Sequence, residues 1–138
     1  NSEIILVKEF RSPARTPDGF IHELPGGSSV KKDIPAIDVA NEEIFEETGF
    51  HVEPSRLRYV GSRQLAGTLS SHHGHLYELR LTDLECARFK ERAKMNEALG
   101  VADDSEKTYV EVRRLSEILA GQLVDWSTLG MILQVISQ

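Results

Sequence analysis

The chain has 138 residues, 40% of them hydrophobic and 28% charged, which predicts one globular domain over 1–138 and excludes a largely disordered chain. The formal net charge of −6 weighs against nucleic acid as a partner, but it suits a phosphorylated small molecule whose phosphates are carried by a metal. One cysteine excludes an internal disulfide, and no apolar run reaches the ~18 residues of a membrane span, so a cytoplasmic protein without a membrane partner is expected.

The chain opens with two predicted strands, at 4–10 and 20–24, joined by a loop that contains two prolines and an Asp-Gly pair at 11–19. Pro-Gly-Gly at 25–27 ends the second strand. The first strand begins almost at the first residue. A trimmed end, a processed terminus and a cut from a longer protein, which would leave the domain without an N-terminal segment, are therefore all open.

One amphipathic helix is predicted next, from Pro35 to about Thr48. Proline suits the first turn of a helix, and Asp33 or a neighbour is expected to cap it. Gly49 follows as the expected C-terminal stop.

The second half of the chain predicts further strands at 57–64 and 75–81 around a loop rich in Gly, Ser and His. Polar residues at 84–99 indicate a loop or an irregular helix. The remaining predicted elements are a strand at 109–112, a short helix at 115–120 and a final amphipathic helix at 127–136 with Asp125 or Ser127 as its cap. This order of strands and helices predicts an α/β fold with a mixed sheet between helices.

Three histidines, His72, His73 and His75, lie close together in the loop before the fourth predicted strand and at its start. A transition-metal site is one interpretation, although no cysteine joins them. A substrate-facing loop and a plain exposed loop are the other two.

Four glutamates crowd the C-terminal half of the predicted helix: Glu42, Glu43, Glu46 and Glu47. Like charges four residues apart cost roughly 0.2–0.5 kcal/mol per pair, and the negative end of the helix dipole adds to that cost. A bound cation reverses the sign of both effects. Helical geometry lets Glu43, Glu46 and Glu47 converge beside the packed face, and their oxygens suit Mg²⁺ or Mn²⁺. A solvated acidic face is the alternative interpretation.

Two segments, Glu-Leu-Pro-Gly-Gly at 23–27 and Ala-Asn-Glu-Glu-Ile-Phe-Glu-Glu-Thr-Gly-Phe at 40–50, resemble the signature of the Nudix hydrolases. The matching positions of its second half are Glu43, Ile44, Glu46, Glu47, Gly49 and Phe50. Two positions depart from the family pattern. Glu42 stands where the family has Arg and, allowing one inserted residue, Asp33 stands where it has an early Glu. In the family that pair braces the loop against the helix, and two acids cannot form the same ion pair.

The resemblance implies a Nudix α/β/α sandwich and a Mg²⁺-dependent hydrolase. Its implied metal ligands are the Gly26 carbonyl, Glu43, Glu46 and Glu47, and catalysis is assigned to Glu46, Glu47 and Glu106. Glu106 lies in an acidic loop and is expected as a general base or an extra ligand. A solvated acidic loop is the alternative for that residue.

The first strand and the turn at 23–25 look like those of the ADP-ribose pyrophosphatase branch of the family. By that likeness, Arg11 lies near a phosphate, Glu23 lies near the base or a ribose, and Lys31 and Lys32 meet outer phosphate oxygens. The implied activity is hydrolysis of a nucleoside diphosphate linked to another moiety, with a small ADP-ribose-like substrate favoured. Relatives in that branch are often dimers, so a homodimer is one of the expected assemblies.

Two other functions stay open. One is a catalytically weakened domain of this family that binds nucleotide or a partner protein, because Glu42 and the irregular spacing depart from the pattern. The other is a hydrolase of capped or triphosphorylated RNA ends. The acidic net charge weighs against this second alternative.

Overall fold

Strands and helices follow one another along the chain in a mixed α/β order. The computed structural model describes residues 2–10, 16, 18–27, 33–99 and 107–138. The elements in these ranges are β1 Glu3–Phe10, β2 Phe20–Glu23, α1 Ala36–Thr48, a 3-10 helix Pro54–Arg56, β3 Arg58–Gln64, β4 His73–Glu78, α2 Asp83–Met95, β5 Thr108–Arg114, α3 Leu115–Gly121 and α4 Trp126–Ile136. None of the helices described there has the length and apolar character that crossing a bilayer requires.

The described strands form two sheets. One has three strands in the order β2-β1-β5, and the other pairs β3 with β4. Every pairing among these strands is antiparallel, so the mixed sheet predicted from the sequence is not seen in this part of the chain. In the central strand, Val7 lies opposite Glu23 on one side and opposite Val110 on the other.

Helices pack against both faces of the three-stranded sheet, because side chains along β1 alternate between the two faces. Leu6 points to one face, where it is fully buried against Ile118 of α3 and Ile132 of α4. On the opposite face, the Thr108 hydroxyl donates a 3.2 Å hydrogen bond to the Glu47 carbonyl of α1. The sheet therefore separates α1 from α3 and α4.

The two ends of α1 differ in how they are closed. Pro35 is the N-cap residue, and among the described residues no side chain makes a capping hydrogen bond there, so the predicted side-chain cap from Asp33 or a neighbour is not seen. Proline fixes the backbone at this end without a side-chain acceptor. The predicted stop at Gly49 is confirmed: its φ is 71°, and its N–H donates to the Phe45 carbonyl at 2.8 Å.

We expect Gly49→Ala to lower the free energy of unfolding by about 1–2 kcal/mol, since L-residues are strained in this left-handed conformation. A Cβ at this position would also meet the Arg92 guanidinium, which donates to the Thr48 carbonyl at 2.6 Å. Urea denaturation measures the change. Gly130→Ala is the matched control, because that helical glycine has open space around it and should gain about 0.5–1 kcal/mol. A loss of equal size in both variants would contradict this account.

The segment predicted as a loop or an irregular helix is instead the regular helix α2. Thr82 and Glu85 form a capping box at its start: the Thr82 hydroxyl accepts from the Glu85 N–H at 3.2 Å, and the Glu85 carboxylate accepts from the Thr82 N–H at 2.9 Å. The pKa of Glu85 is lowered to about 2, chiefly by the hydrogen bonds from Arg56 at 2.7 Å and next by the one from the Thr82 N–H. In the described chain, Phe89 is the one buried residue of α2. The helix therefore has a narrow apolar face, and its sequence shows only a weak apolar periodicity.

Candidate functional site

Two glutamates of α1 lie at the edge of its packed face. Glu43 and Glu47 are one helical turn apart, and each is half-buried. The Thr108 hydroxyl holds the Glu47 carbonyl at 3.2 Å, which fixes this end of α1 on β5. Glu42, the first glutamate of the cluster, is exposed.

The turn that follows β2 runs directly against these two carboxylates. The Gly26 N–H donates to Oε2 of Glu47 at 3.4 Å. A Cβ on Gly27 would lie 2.5 Å from the carboxyl carbon of Glu43, so a glycine is what permits this close approach of backbone to carboxylate. Gly27 therefore has a specific packing role in the site, whereas Gly26 contributes its backbone N–H.

Glu47 has a strongly perturbed acidity. The pKa of its carboxyl is raised to about 8, chiefly by burial and next by the nearby charge of Glu43. Glu23 contributes in the same direction, whereas the hydrogen bond from Gly26 favours the ionised form. Without a cation, this carboxyl holds a proton at neutral pH. A cation bound beside it would compensate its charge and displace that proton.

The chemistry of this pair fits a hard divalent cation. Two close carboxylates repel each other when both are ionised, and oxygen donors are the ligands that Mg²⁺ takes. Within the ranges that the structure describes, no three His, Cys, Asp or Glu side chains form a group that could hold a metal. Mg²⁺ commonly keeps several waters and uses one or two carboxylates together with substrate phosphates. The pair therefore suits a cation shared with a phosphate better than one enclosed by protein.

Glu46, a predicted third ligand and catalytic residue, is half-buried but lies about 100° around the helix from Glu47. The groups that perturb the pKa of Glu47 are Glu43, Gly26 and Glu23. The structure therefore brings together two of the three predicted carboxylate ligands. The role of Glu46 stays a prediction.

Glu23 ends β2 and lies close enough to Glu47 for its charge to raise the pKa of that carboxyl. The predicted base- or ribose-binding residue is therefore a neighbour of the predicted metal ligands. The remaining predicted site residues, which lie outside the described part of the chain, are Arg11, Lys31, Lys32 and Glu106.

The three histidines take part in the β3–β4 region. Nδ1 of His75 lies 3.1 Å from the hydroxyl oxygen of Tyr59, and Nδ1 of His73 lies 3.0 Å from the Ser71 carbonyl oxygen. His72 is exposed, and its N–H donates to the Ser70 hydroxyl at 3.0 Å. In the described chain these histidines form no metal-binding group.

Sequence reasoning missed a buried polar pair on the other face of this sheet, His22 on β2 and Glu111 on β5. They are 7% and 6% exposed, and Nδ1 of His22 lies 2.6 Å from Oε1 of Glu111. Successive side chains of a strand point to opposite faces, and this alternation could have indicated the pair. His22 shares a face with Phe20, and Glu111 shares it with Tyr109, whose ring meets that of Phe20 at 6.1 Å.

Comparison with known proteins adds no relative: no family model matches the chain, and no curated protein matches it. The interpretation of the site therefore depends on the residues themselves. It is carried by the contact between the segments at 23–27 and 40–50.

Proposed function

We propose that this chain is a Mg²⁺-dependent diphosphohydrolase of the Nudix family that acts on a nucleoside diphosphate linked to a second moiety. The observation that carries the proposal is the contact between the Gly-Gly turn and the two glutamates. Gly26 donates to Glu47 across 21 residues of sequence, and Gly27 leaves room for the carboxylate of Glu43. In the family signature, these two segments form one site, and their contact here supports the same arrangement.

The layers of the fold support the proposal in a second way. The sheet β2-β1-β5 has α1 on one face and α3 and α4 on the other. This is the order of layers expected of an α/β/α sandwich. The carboxylate pair lies on the α1 side, where the turn after β2 reaches it.

The proposed reaction is attack of water on a phosphorus of the diphosphate. A new P–O bond forms to the water oxygen, the bridging P–O bond breaks, and the two phosphorylated fragments separate. Bound Mg²⁺ would neutralise the phosphate oxygens and lower the pKa of a coordinated water. Glu43 and Glu47 would hold the cation together with the Gly26 carbonyl. The Gly26 N–H would keep the Glu47 carboxylate oriented by its hydrogen bond.

A panel of nucleoside diphosphate derivatives tests the proposal, with EDTA, Mg²⁺ and Mn²⁺ arms and identification of the products. We expect an ADP-ribose-like compound to yield a nucleoside monophosphate and a sugar phosphate, and only when a divalent cation is present. Diphosphate derivatives with other bases and capped RNA ends complete the panel. If only the capped RNA ends were cleaved, the substrate class would be RNA ends and not ADP-ribose-like compounds.

Calorimetry with the same compounds separates hydrolysis from binding. A chain that binds the nucleotides but cleaves none of them, with either cation, would overturn the hydrolase assignment. It would instead indicate a nucleotide-binding domain. Glu42, which stands where the family has Arg, is the sequence feature that suggests this alternative. Absence of both binding and cleavage would reject a nucleotide site altogether.

A further inference from the structure

The position of the Gly26–Gly27 turn depends on how the end of β2 is held. β2 has only four residues, Phe20–Glu23, and it is an edge strand of its sheet, paired with β1 alone among the described strands. The turn that contacts Glu43 and Glu47 begins directly after it. A short edge strand has few main-chain bonds, so its side chains must supply much of the anchoring.

His22 supplies a contact that reaches across the sheet. β2 and β5 lie on opposite sides of β1, with His22 opposite Lys8 and Glu111 opposite Leu6. The imidazole of His22 nevertheless lies 2.6 Å from the Glu111 carboxylate, above the central strand. Both side chains are more than nine-tenths buried.

Further polar contacts orient both side chains of the His22–Glu111 pair. The second oxygen of Glu111 accepts from Arg113 Nη2 at 3.2 Å and from its Nε at 3.3 Å. The second ring nitrogen of His22 lies 3.4 Å from Oδ2 of Asp18. The neighbours two residues before and after His22 make apolar contacts: Phe20 of β2 meets the Tyr109 ring, and Leu24, directly after β2, packs on the core. His22 therefore gives this end of the strand an oriented, buried hydrogen bond that the apolar contacts lack.

We propose that His22 is a positioning residue. Through Glu111 it fixes the end of β2, and thereby holds the Gly26–Gly27 turn against Glu43 and Glu47. The residue that follows it, Glu23, lies on the opposite face and acts on Glu47. The inference rests on the proposed function for its catalytic meaning, while the anchoring itself stands on the structure alone.

Two substitutions of similar polarity separate the contact from general packing. The amide of His22→Asn can place its nitrogen where Nδ1 lies, and so keep the donor to Glu111. The longer amide of His22→Gln places its nitrogen where the other ring nitrogen lies, on the Asp18 side. Ile118→Val, in the core on the same face of the sheet, is the control for a loss of stability without a change at β2.

Two measurements are made on the full chain: hydrogen exchange of the amides of residues 21–27 without metal, and the Kd for Mn²⁺ by calorimetry. We expect His22→Gln to speed exchange in this segment and to raise the Kd about tenfold, with His22→Asn within about twofold of the original chain. Ile118→Val should lower the melting temperature and leave both readouts unchanged. Should His22→Gln fail to fold, Glu111→Asp, which withdraws the acceptor by one methylene, is expected to give the same pair of changes.

The proposal is overturned if His22→Gln leaves exchange in residues 21–27 unchanged, or speeds exchange equally throughout the sheet as a general loss of stability would. It is also overturned if His22→Asn behaves like His22→Gln. Failure of the proposed function looks different: the original chain binds no Mn²⁺, while His22→Gln still loosens residues 21–27 selectively. That result keeps the anchor and removes the metal site.

Discussion

Replacing Glu47 by Gln should remove Mg²⁺-dependent hydrolysis and yet raise the melting temperature of the metal-free chain at pH 8. The loss of turnover is expected to be about a hundredfold or more, since a metal ligand is lost and even its supporting contacts are commonly worth 10–100-fold. The gain in stability arises because the carboxyl is half-buried beside Glu43 and Glu23. Glutamine keeps the shape of the side chain and carries no charge.

The pH dependence of this stability follows from the raised pKa of Glu47, about 8 in the folded chain against an ordinary value of 4.5. Between these two values, the folded chain holds a proton that the unfolded chain has lost, so the free energy of unfolding falls as the pH rises. Below about pH 4.5, Glu47 is protonated in both the folded and the unfolded chain, and its ionisation does not lower the free energy of unfolding. Above about pH 8, Glu47 is ionised in both states, and the decrease in the free energy of unfolding reaches its full size, on the order of a few kcal/mol. The melting temperatures of Glu47→Gln and the original chain should therefore coincide near pH 4.5 and separate towards pH 8.

Millimolar Mg²⁺ should narrow that separation, because a ligand that binds only the folded state stabilises it. Glu42→Gln is the matched control: it removes one carboxylate from the same helix at an exposed position. Its hydrolysis should stay within about twofold of the original chain. Activity of Glu47→Gln within threefold of the original chain would reject the metal-site assignment. Melting temperatures for the two chains that do not separate with pH would contradict the raised pKa of Glu47.

Local signals in the sequence predict most of the elements of the fold. The apolar strand at the start, the helix that stops at Gly49 and the cap at Asp125 are each determined by residues close in sequence. The Asp125 carboxylate accepts from the Thr128 N–H at 2.8 Å. The helix α2 is predicted less sharply, as a loop or an irregular helix, because its apolar pattern is weak. The capping box of Thr82 and Glu85 at its start is a local signal, whereas the contact of Glu85 with Arg56 joins residues 29 apart in sequence.

From residue spacing alone, the candidate site could be predicted only where its residues belong to one helix, whereas the turn at 23–27 was added through the family resemblance. The one-turn spacing of Glu43 and Glu47 was sufficient to place them together. Glu46 was expected to converge with them, and although a step of 100° around the helix separates it from Glu47, its place in the site stays a prediction. Sheet pairing decides the rest: His22 and Glu111 meet because β2 and β5 both flank β1, and this order is not contained in any local pattern.

Gly27→Ala should weaken Mg²⁺ binding while leaving the fold intact. The new Cβ would lie 2.5 Å from the carboxyl carbon and from Oε1 of Glu43, and 2.8 Å from its Oε2. The atoms that must give way are the end of a flexible side chain, so the carboxylate rotates away from Glu47 and the backbone stays. We expect the Kd for Mn²⁺ to rise about tenfold, with a melting temperature within a few degrees of the original chain.

A double-mutant cycle decides whether the added methyl group acts through Glu43. In a Glu43→Gln background, the charge that Gly27→Ala displaces is already absent, so the second substitution should cost little additional Mn²⁺ affinity. Such a strongly non-additive result would show that Gly27→Ala weakens Mn²⁺ binding through the carboxylate of Glu43. Gly130→Ala, which adds a methyl group in open space on α4, should be additive with Glu43→Gln. If the losses of Mn²⁺ affinity were additive for Gly27→Ala as well, the methyl group would be acting on the turn itself. That result would contradict the explanation that a glycine is present because the backbone comes so close to the Glu43 carboxylate.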